Sequence, residues 1–222
     1  MQRSNRMPAA KRIILCVLGA LIYLLPSSCS LFTCQEPQVP IKVEYQPPPP
    51  PKCELPYCQV NLDLPLTAVF KPKIYIFKSE RRLLLVNDDT LVREYRIGLG
   101  PHPKGDKYFQ GDGRTPEGDY YVCAKNPSSK YYKSLGLSYP TPKRATEAFT
   151  LGEISQDEYL KIVEANEKGV LPPANTCLGG AIFIHGGGSF EDWTLGCVAV
   201  SNRYMDELFE VVSTGTPVSI LP

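Results

Sequence analysis

The chain has 222 residues, 43% of them hydrophobic and 21% charged, with a formal net charge of +1 at pH 7. That balance supports a packed core and offers no basic stripe, so nucleic acid is excluded as the natural partner. The 22 prolines are about twice the ordinary share, and their clustering marks where the chain divides.

Residues 1–30 read as an export signal. Arg3, Arg6, Lys11 and Arg12 form a basic start, and Ile13 to Leu25 is an uncharged apolar run. The run is short of the ~20 residues that a membrane span needs, which favours a secretory signal over an uncleaved anchor. Pro26-Ser27-Ser28 breaks the run, and Cys29 follows it closely, as in a lipoprotein signal. Cys34, in Leu31-Phe32-Thr33-Cys34, is a second candidate for lipidation. Either would tie the N-terminus to a membrane and place the protein in the cell envelope or periplasm.

Eight cysteines fit an exported, oxidising setting. Cys16 leaves with the signal. Cys53 and Cys58 lie close enough in CELPYC to pair, and Cys123 with Cys177 is a second candidate disulfide. If Cys34 is the lipidated residue, two pairs and one free Cys197 remain.

Residues 31–65 read as a proline-rich tether, with five consecutive prolines at 47–51. Such a run favours extended polyproline II, a semi-rigid spacer of ~3 Å per residue. The folded domain is expected over 66–222. Val69 to Phe77, Arg82 to Val86 and Thr90 to Leu99 read as strands separated by polar turns. A long Gly/Pro/Asp-rich loop, GPHPKGDKYFQGDGRTPEG, leads to a strand at Asp119 to Ala124. The tyrosine- and proline-rich stretch 126–145 follows.

Ser155 and Glu158 form a capping box for a helix running to about Ala165 and ended by Gly169. A strand at Ala181 to Ile184, a helix at Asn202 to Val212 capped by Asn202, and a last strand at Val218 to Leu221 complete the chain. Strands come in runs rather than alternating with helices. The fold class is therefore mixed, β-dominated α+β, and neither a Rossmann sheet nor a barrel of alternating units.

The chemistry concentrates in 184-IHGGGSFEDWTLGCVAVS-201. It holds His185, one of only two histidines, and Cys197 after a loop of about a dozen residues. A cysteine becomes a nucleophile when its thiolate is stabilised and its approach is open. An imidazole folded back against it can take the proton. Gly196 lets a carbonyl approach, and the backbone N–H groups of Leu195, Gly196 and Cys197 can form an oxyanion hole. Gly186, Gly187 and Gly188 allow positive φ close to a ligand. The bland alternatives are a buried structural cysteine and a histidine that merely ends a strand. No CxxC and no HExxH occurs, so no metal and no cofactor is expected. The other histidine, His102, reads as an exposed loop residue.

From about Lys71 to Leu221 the chain resembles the L,D-transpeptidase catalytic domain (YkuD-like) family. The motifs are His185-Gly186, Thr194-Leu195-Gly196-Cys197, GDGRTPEGDYYV at 111–122, SLGLSYP at 134–140, and MDELF followed by GTPVSIL at the end. The likeness is nearest to the murein L,D-transpeptidase subgroup. Many relatives carry a second histidine just before the Gly-Cys, where this chain has Leu195.

The resemblance implies an L,D-transpeptidase-type β-sandwich with a few short helices. It also implies peptidoglycan stem peptides as substrate, with the diaminopimelate–D-Ala bond attacked. Cys197 would be the nucleophile and His185 the base. From the residues themselves, Arg114 reads as a substrate-facing residue or as part of a turn built by Asp112, Gly113 and Pro116, and Tyr139 as lining the cleft or as a packing aromatic, with Gly186 and Gly187 as further substrate-loop candidates. The acceptor is an amine of a second stem, a wall-attached lipoprotein, or water. A wall-binding module without catalysis is the remaining alternative.

Overall fold

The structure is a computed structural model and describes residues 55–222. The export signal, both lipidation candidates and Cys53 lie outside the described residues, as does the tether through residue 54.

Among the described residues, nine strands form one hydrogen-bonded run. In chain order they are β1 (Gln59–Val60), β2 (Pro72–Phe77), β3 (Arg82–Asn87), β4 (Thr90–Arg96), β5 (Gly118–Ser129), β6 (Tyr132–Leu137), β7 (Phe183–His185), β8 (Val198–Ala199) and β9 (Pro217–Leu221). Their spatial order is β1-β4-β3-β2-β9-β5-β6-β7-β8. Three helices complete the fold: α1 (Pro142–Thr150), α2 (Gln156–Glu167) and α3 (Asn202–Val211).

The period-two rule explains the first meander. In β2, Ile74 and Ile76 point into the core while Lys73, Tyr75 and Phe77 alternate outward. The central β3 is buried on both faces. Leu83 and Leu85 join the main core, and Leu84 and Val86 pack with Leu91, Tyr57, Tyr75 and Phe77 on the back. Tyr57 belongs to the segment read as tether. So does β1, which pairs in parallel with β4 at Gln59↔Thr90 and Val60↔Leu91. The backbone N–H groups of Cys58 and Asn61 also bond to Asp89 and Leu91. The domain therefore starts before residue 66: unpaired groups on the edge of β4 recruit the last tether residues as a short strand.

The twelve-residue β5 couples the two halves of the fold. Its first part pairs with β9 and its later part with β6, with register shifts at Val122/Ala124 and Asn126/Ser129. The sheet bends there, since bulges increase local twist. At the far side Gly98 and Ala199 exchange backbone hydrogen bonds of 2.9 and 2.8 Å. The two layers of the expected sandwich are thus one continuous sheet curled over a shared core.

The tyrosine- and proline-rich stretch 126–145, given no elements from its sequence, holds the end of β5, all of β6 and the start of α1. Thr141 caps α1 and Pro142 sits at its first turn, where a missing N–H costs nothing. Ser155 and Glu158 form the anticipated capping box of α2. For α3 the cap is Ser201, whose hydroxyl accepts from Tyr204 N. Asn202 is the first helical residue, and its Oδ1 accepts from Gly187 N instead.

Candidate active site

His185 ends β7, and Cys197 immediately precedes β8. The two strands pair in parallel at Ile184↔Val198 and His185↔Ala199. Alternation sends Ile184 and Val198 into the core, both fully buried. Cys197 therefore shares the opposite face with His185, displaced by two residues along one strand and by one strand across. Strand spacing and rise place the two Cα atoms about 8 Å apart. Both side chains line one cleft of about 390 Å³.

The intervening loop is fastened at several points. Arg81 makes a bidentate pair with Asp192, whose Oδ1 also accepts from Leu99 N at 2.9 Å. Thr194 N donates to Leu99 O, and Gly188 N donates to Val200 O. Thr194 Oγ1 donates to Cys197 O at 2.7 Å and accepts from Gly196 N at 3.2 Å. Gly196 has φ +124°, and a Cβ there would meet Arg114 O at 2.7 Å. A side chain is excluded twice at that position, by conformation and by space.

His185 is 3% exposed. Its Nδ1 lies 2.6 Å from Gly186 O. A carbonyl only accepts, so Nδ1 carries the proton and Nε2 keeps the lone pair. Tyr131 stacks on the imidazole at 4.7 Å and Trp193 meets its edge at 5.5 Å. The Trp193 indole is itself anchored to Gly188 O. Burial pulls the imidazole below its ordinary 6.5, the bond to Gly186 opposing, so His185 is neutral at pH 7.

Cys197 is half-buried. Its Sγ donates to Ala181 O at 3.5 Å and accepts from Phe183 N at 3.4 Å. Burial raises the thiol above its ordinary value, against the pull of the Phe183 N–H and the Lys107 ammonium. The pair therefore rests as thiol and neutral imidazole. The thiol rests on Ala181 O, and no hydrogen bond joins it to the ring.

Several sequence expectations change here. Cys123 and Cys177 are both free, so that disulfide does not form. Cys123 is buried with its thiol on Gly136 O, while the exposed Cys177 donates to Glu153 O. Cys58 is disulfide-bonded, and its partner lies outside the described residues.

Tyr139 is a core residue, 2% exposed, bonded to Leu178 O, and does not line the Cys197 cleft. Arg114 also faces elsewhere, toward a cavity with His102 and Tyr108, its guanidinium 5.8 Å from the Tyr108 ring. Gly186 and Gly187 do not line the cleft either. Gly186 supplies the carbonyl that orients His185.

Gly196 leaves the oxyanion set, because its N–H is taken by Thr194. The Leu195 and Cys197 N–H groups have no acceptor among the described residues. Thr194, Tyr131 and Trp193 are site residues to which the sequence reading gave no role, although Thr194 lies in the TLGC motif.

The L,D-transpeptidase catalytic domain (YkuD) model matches residues 71–220. The chain belongs to this family. YafK of Escherichia coli (strain K12), named as a putative L,D-transpeptidase, is 28% identical over 151 residues, covering 63% of this chain and 46% of YafK. The chain thus spans about half the length of the curated relatives it matches. Among solved structures, the helical cell shape determining protein Pgp2 (K307A mutant) from Campylobacter jejuni is 23% identical with a TM-score of 0.46, over 67% of this chain and 46% of Pgp2. An L,D-transpeptidase from Xylanimonas cellulosilytica is 19% identical with a TM-score of 0.41, over 69% and 61%.

Proposed function

We propose that the domain is a cysteine-dependent acyl transferase acting on peptidoglycan stem peptides, with the diaminopimelate–D-Ala bond as target. The observation that carries this is the shared cleft of Cys197 and His185, with the imidazole tautomer fixed so that Nε2 can accept a proton. Family membership supplies the substrate class.

The chemistry starts from a neutral pair. Substrate entry displaces the thiol from Ala181 O, and His185 Nε2 takes its proton as Sγ attacks the carbonyl. The oxyanion lies toward the Leu195 and Cys197 N–H groups. The C–N bond breaks, the imidazolium returns the proton to the leaving D-Ala amine, and a thioacyl-enzyme remains. An acceptor amine, from a second stem or a wall-attached lipoprotein, then takes the acyl group and restores the thiol.

Water in the acceptor's place gives a carboxypeptidase or amidase. Leu195, 85% exposed at the cleft, supplies no second base for an incoming amine, and this favours keeping hydrolysis as the second reading. The setting is the cell envelope after export, with a lipid or signal anchor on the N-terminal side. Incubating the purified protein with muropeptides distinguishes the outcomes. Products of increased mass mean transfer, shortened peptides mean hydrolysis, and unchanged muropeptides defeat both.

A further inference from the structure

The charge lining the cleft is one-sided. Lys107 and Lys130 line it, and among the described residues no Asp or Glu does. Lys107 is 3% exposed and paired at 2.7 Å with Asp112, which stands behind it outside the cleft. Its charge is thus balanced, and its ammonium also donates to Phe109 O. Lys130 differs. It sits in the β5–β6 turn, exposed, with no carboxylate partner among the described residues. Its ammonium lies 5.4 Å from the Tyr131 ring centre, and that ring lies 4.7 Å from the imidazole. Those two spacings put the charge within about 10 Å of His185, near the reach of an unscreened charge at ordinary salt.

Ser134 adds the second element. It stands directly opposite His185 in the β6–β7 pairing. It is 4% exposed, yet it lines the cleft, and its hydroxyl has no hydrogen-bond partner among the described residues. The hydroxyl is not itself among the buried unpartnered atoms, so it opens onto the cleft, where a polar atom of a ligand can reach it.

We infer that Lys130 and Ser134 form an anion subsite beside Cys197, which takes a free carboxylate of the acyl donor next to the bond attacked. The identity of that donor rests on the reading under Proposed function; the subsite does not. Lys130 supplies the charge and Ser134 a donor of fixed direction. The stem peptide offers two such carboxylates, the C-terminal one and the side-chain one of diaminopimelate. The subsite makes Lys130 a specificity determinant that excludes amidated donors.

Two alkylating reagents of equal size test this without any peptide. Iodoacetate is anionic and iodoacetamide neutral, and each forms a thioether on Cys197 with loss of iodide. Peptide mass mapping separates Cys197 from Cys123 and Cys177. Lys130→Gln is expected to slow iodoacetate at Cys197 about fivefold, the effect of one solvent-accessible charge pair, and to leave iodoacetamide unchanged. Lys130→Arg restores the preference, and Ser134→Ala lowers it by a smaller factor. Equal slowing of both reagents, no change in either, or no reaction at Cys197 overturns the subsite.

The wild-type protein is then given a stem tetrapeptide, its C-terminal amide and its side-chain amide. The amide that loses turnover identifies the carboxylate, and equal turnover of all three overturns the proposal. If the reagents discriminate but no peptide reacts, the stem-peptide reading falls and the subsite stands.

Discussion

The β2–β3–β4 meander and the β7–β8 corner are built on opposite terms. In the meander, aliphatic side chains hold one another: Ile74, Ile76, Leu83 and Leu85 fill the core, and strands of six and seven residues pair along their lengths. In the corner the strands are three and two residues long, and His185 and the adjoining Cys197 are held by backbone groups. Gly186 O holds the imidazole, Ala181 O and Phe183 N hold the sulfur, and Thr194 holds the Gly-Cys turn. The first region derives stability from burial. The second uses a rigid backbone to keep two reactive groups close but not yet joined.

Substitutions should separate the two regions by what they damage. Cys197→Ala is expected to abolish turnover while leaving thermal unfolding almost unchanged, measured by muropeptide assay and calorimetry side by side. His185→Ala should lower kcat by roughly 10²–10⁴, the usual worth of a positioned general base, again with the fold intact. Ile76→Ala should do the reverse. It removes a fully buried side chain and should cost about 2–5 kcal/mol of stability in denaturant titration, with kcat near normal in the protein that stays folded. A mutant of either region that lost both properties equally would break the distinction.

Acidity sharpens the comparison. His185 has its pKa lowered by burial, so kcat/KM should fall only as pH drops below 6.5. Above that it should hold level until the raised Cys197 thiol titrates. A limb centred above 6.5 would mean that the imidazole is not the base or not buried. The same lowered pKa makes the unfolded state bind more protons than the folded state below 6.5, so this group's contribution to stability also declines as pH falls. The smallest effect expected is for Tyr131→Ala. Losing the stack on His185 should cost about 1 kcal/mol of transition-state stabilisation, seen as a several-fold loss in kcat with little change in melting temperature.

The two regions were also unequally legible. The strand-like runs VFKPKIYIF and RLLLV and the alternation in TLVREYRIGL announced the meander, because burial on one face writes itself as period two. The Ser155/Glu158 capping box was equally plain. Cys197 and His185 stood out through their chemistry and the ordered motifs around them, not through periodicity, since a strand of two residues has no period to read.

What failed were contacts across the sheet. Arg114 lies in the loop before β5 and Tyr139 just after β6; the first faces a different cavity, and the second packs into the core, the other reading its sequence allowed. Cys123 and Cys177 invited pairing by parity, yet β5 buries the first while the second sits on an exposed loop. The β1 pairing escaped notice because prolines dominated the composition of the segment before it.

The central claim is that Cys197 carries the acyl group. Intact-protein mass spectrometry of the full chain after brief exposure to a stem tetrapeptide tests it most directly. The account predicts an adduct of the tripeptide acyl mass, mapped to Cys197, absent from Cys197→Ala and labile to hydroxylamine as a thioester is. Turnover of the tetrapeptide by Cys197→Ala, or an adduct on any other residue, would contradict it.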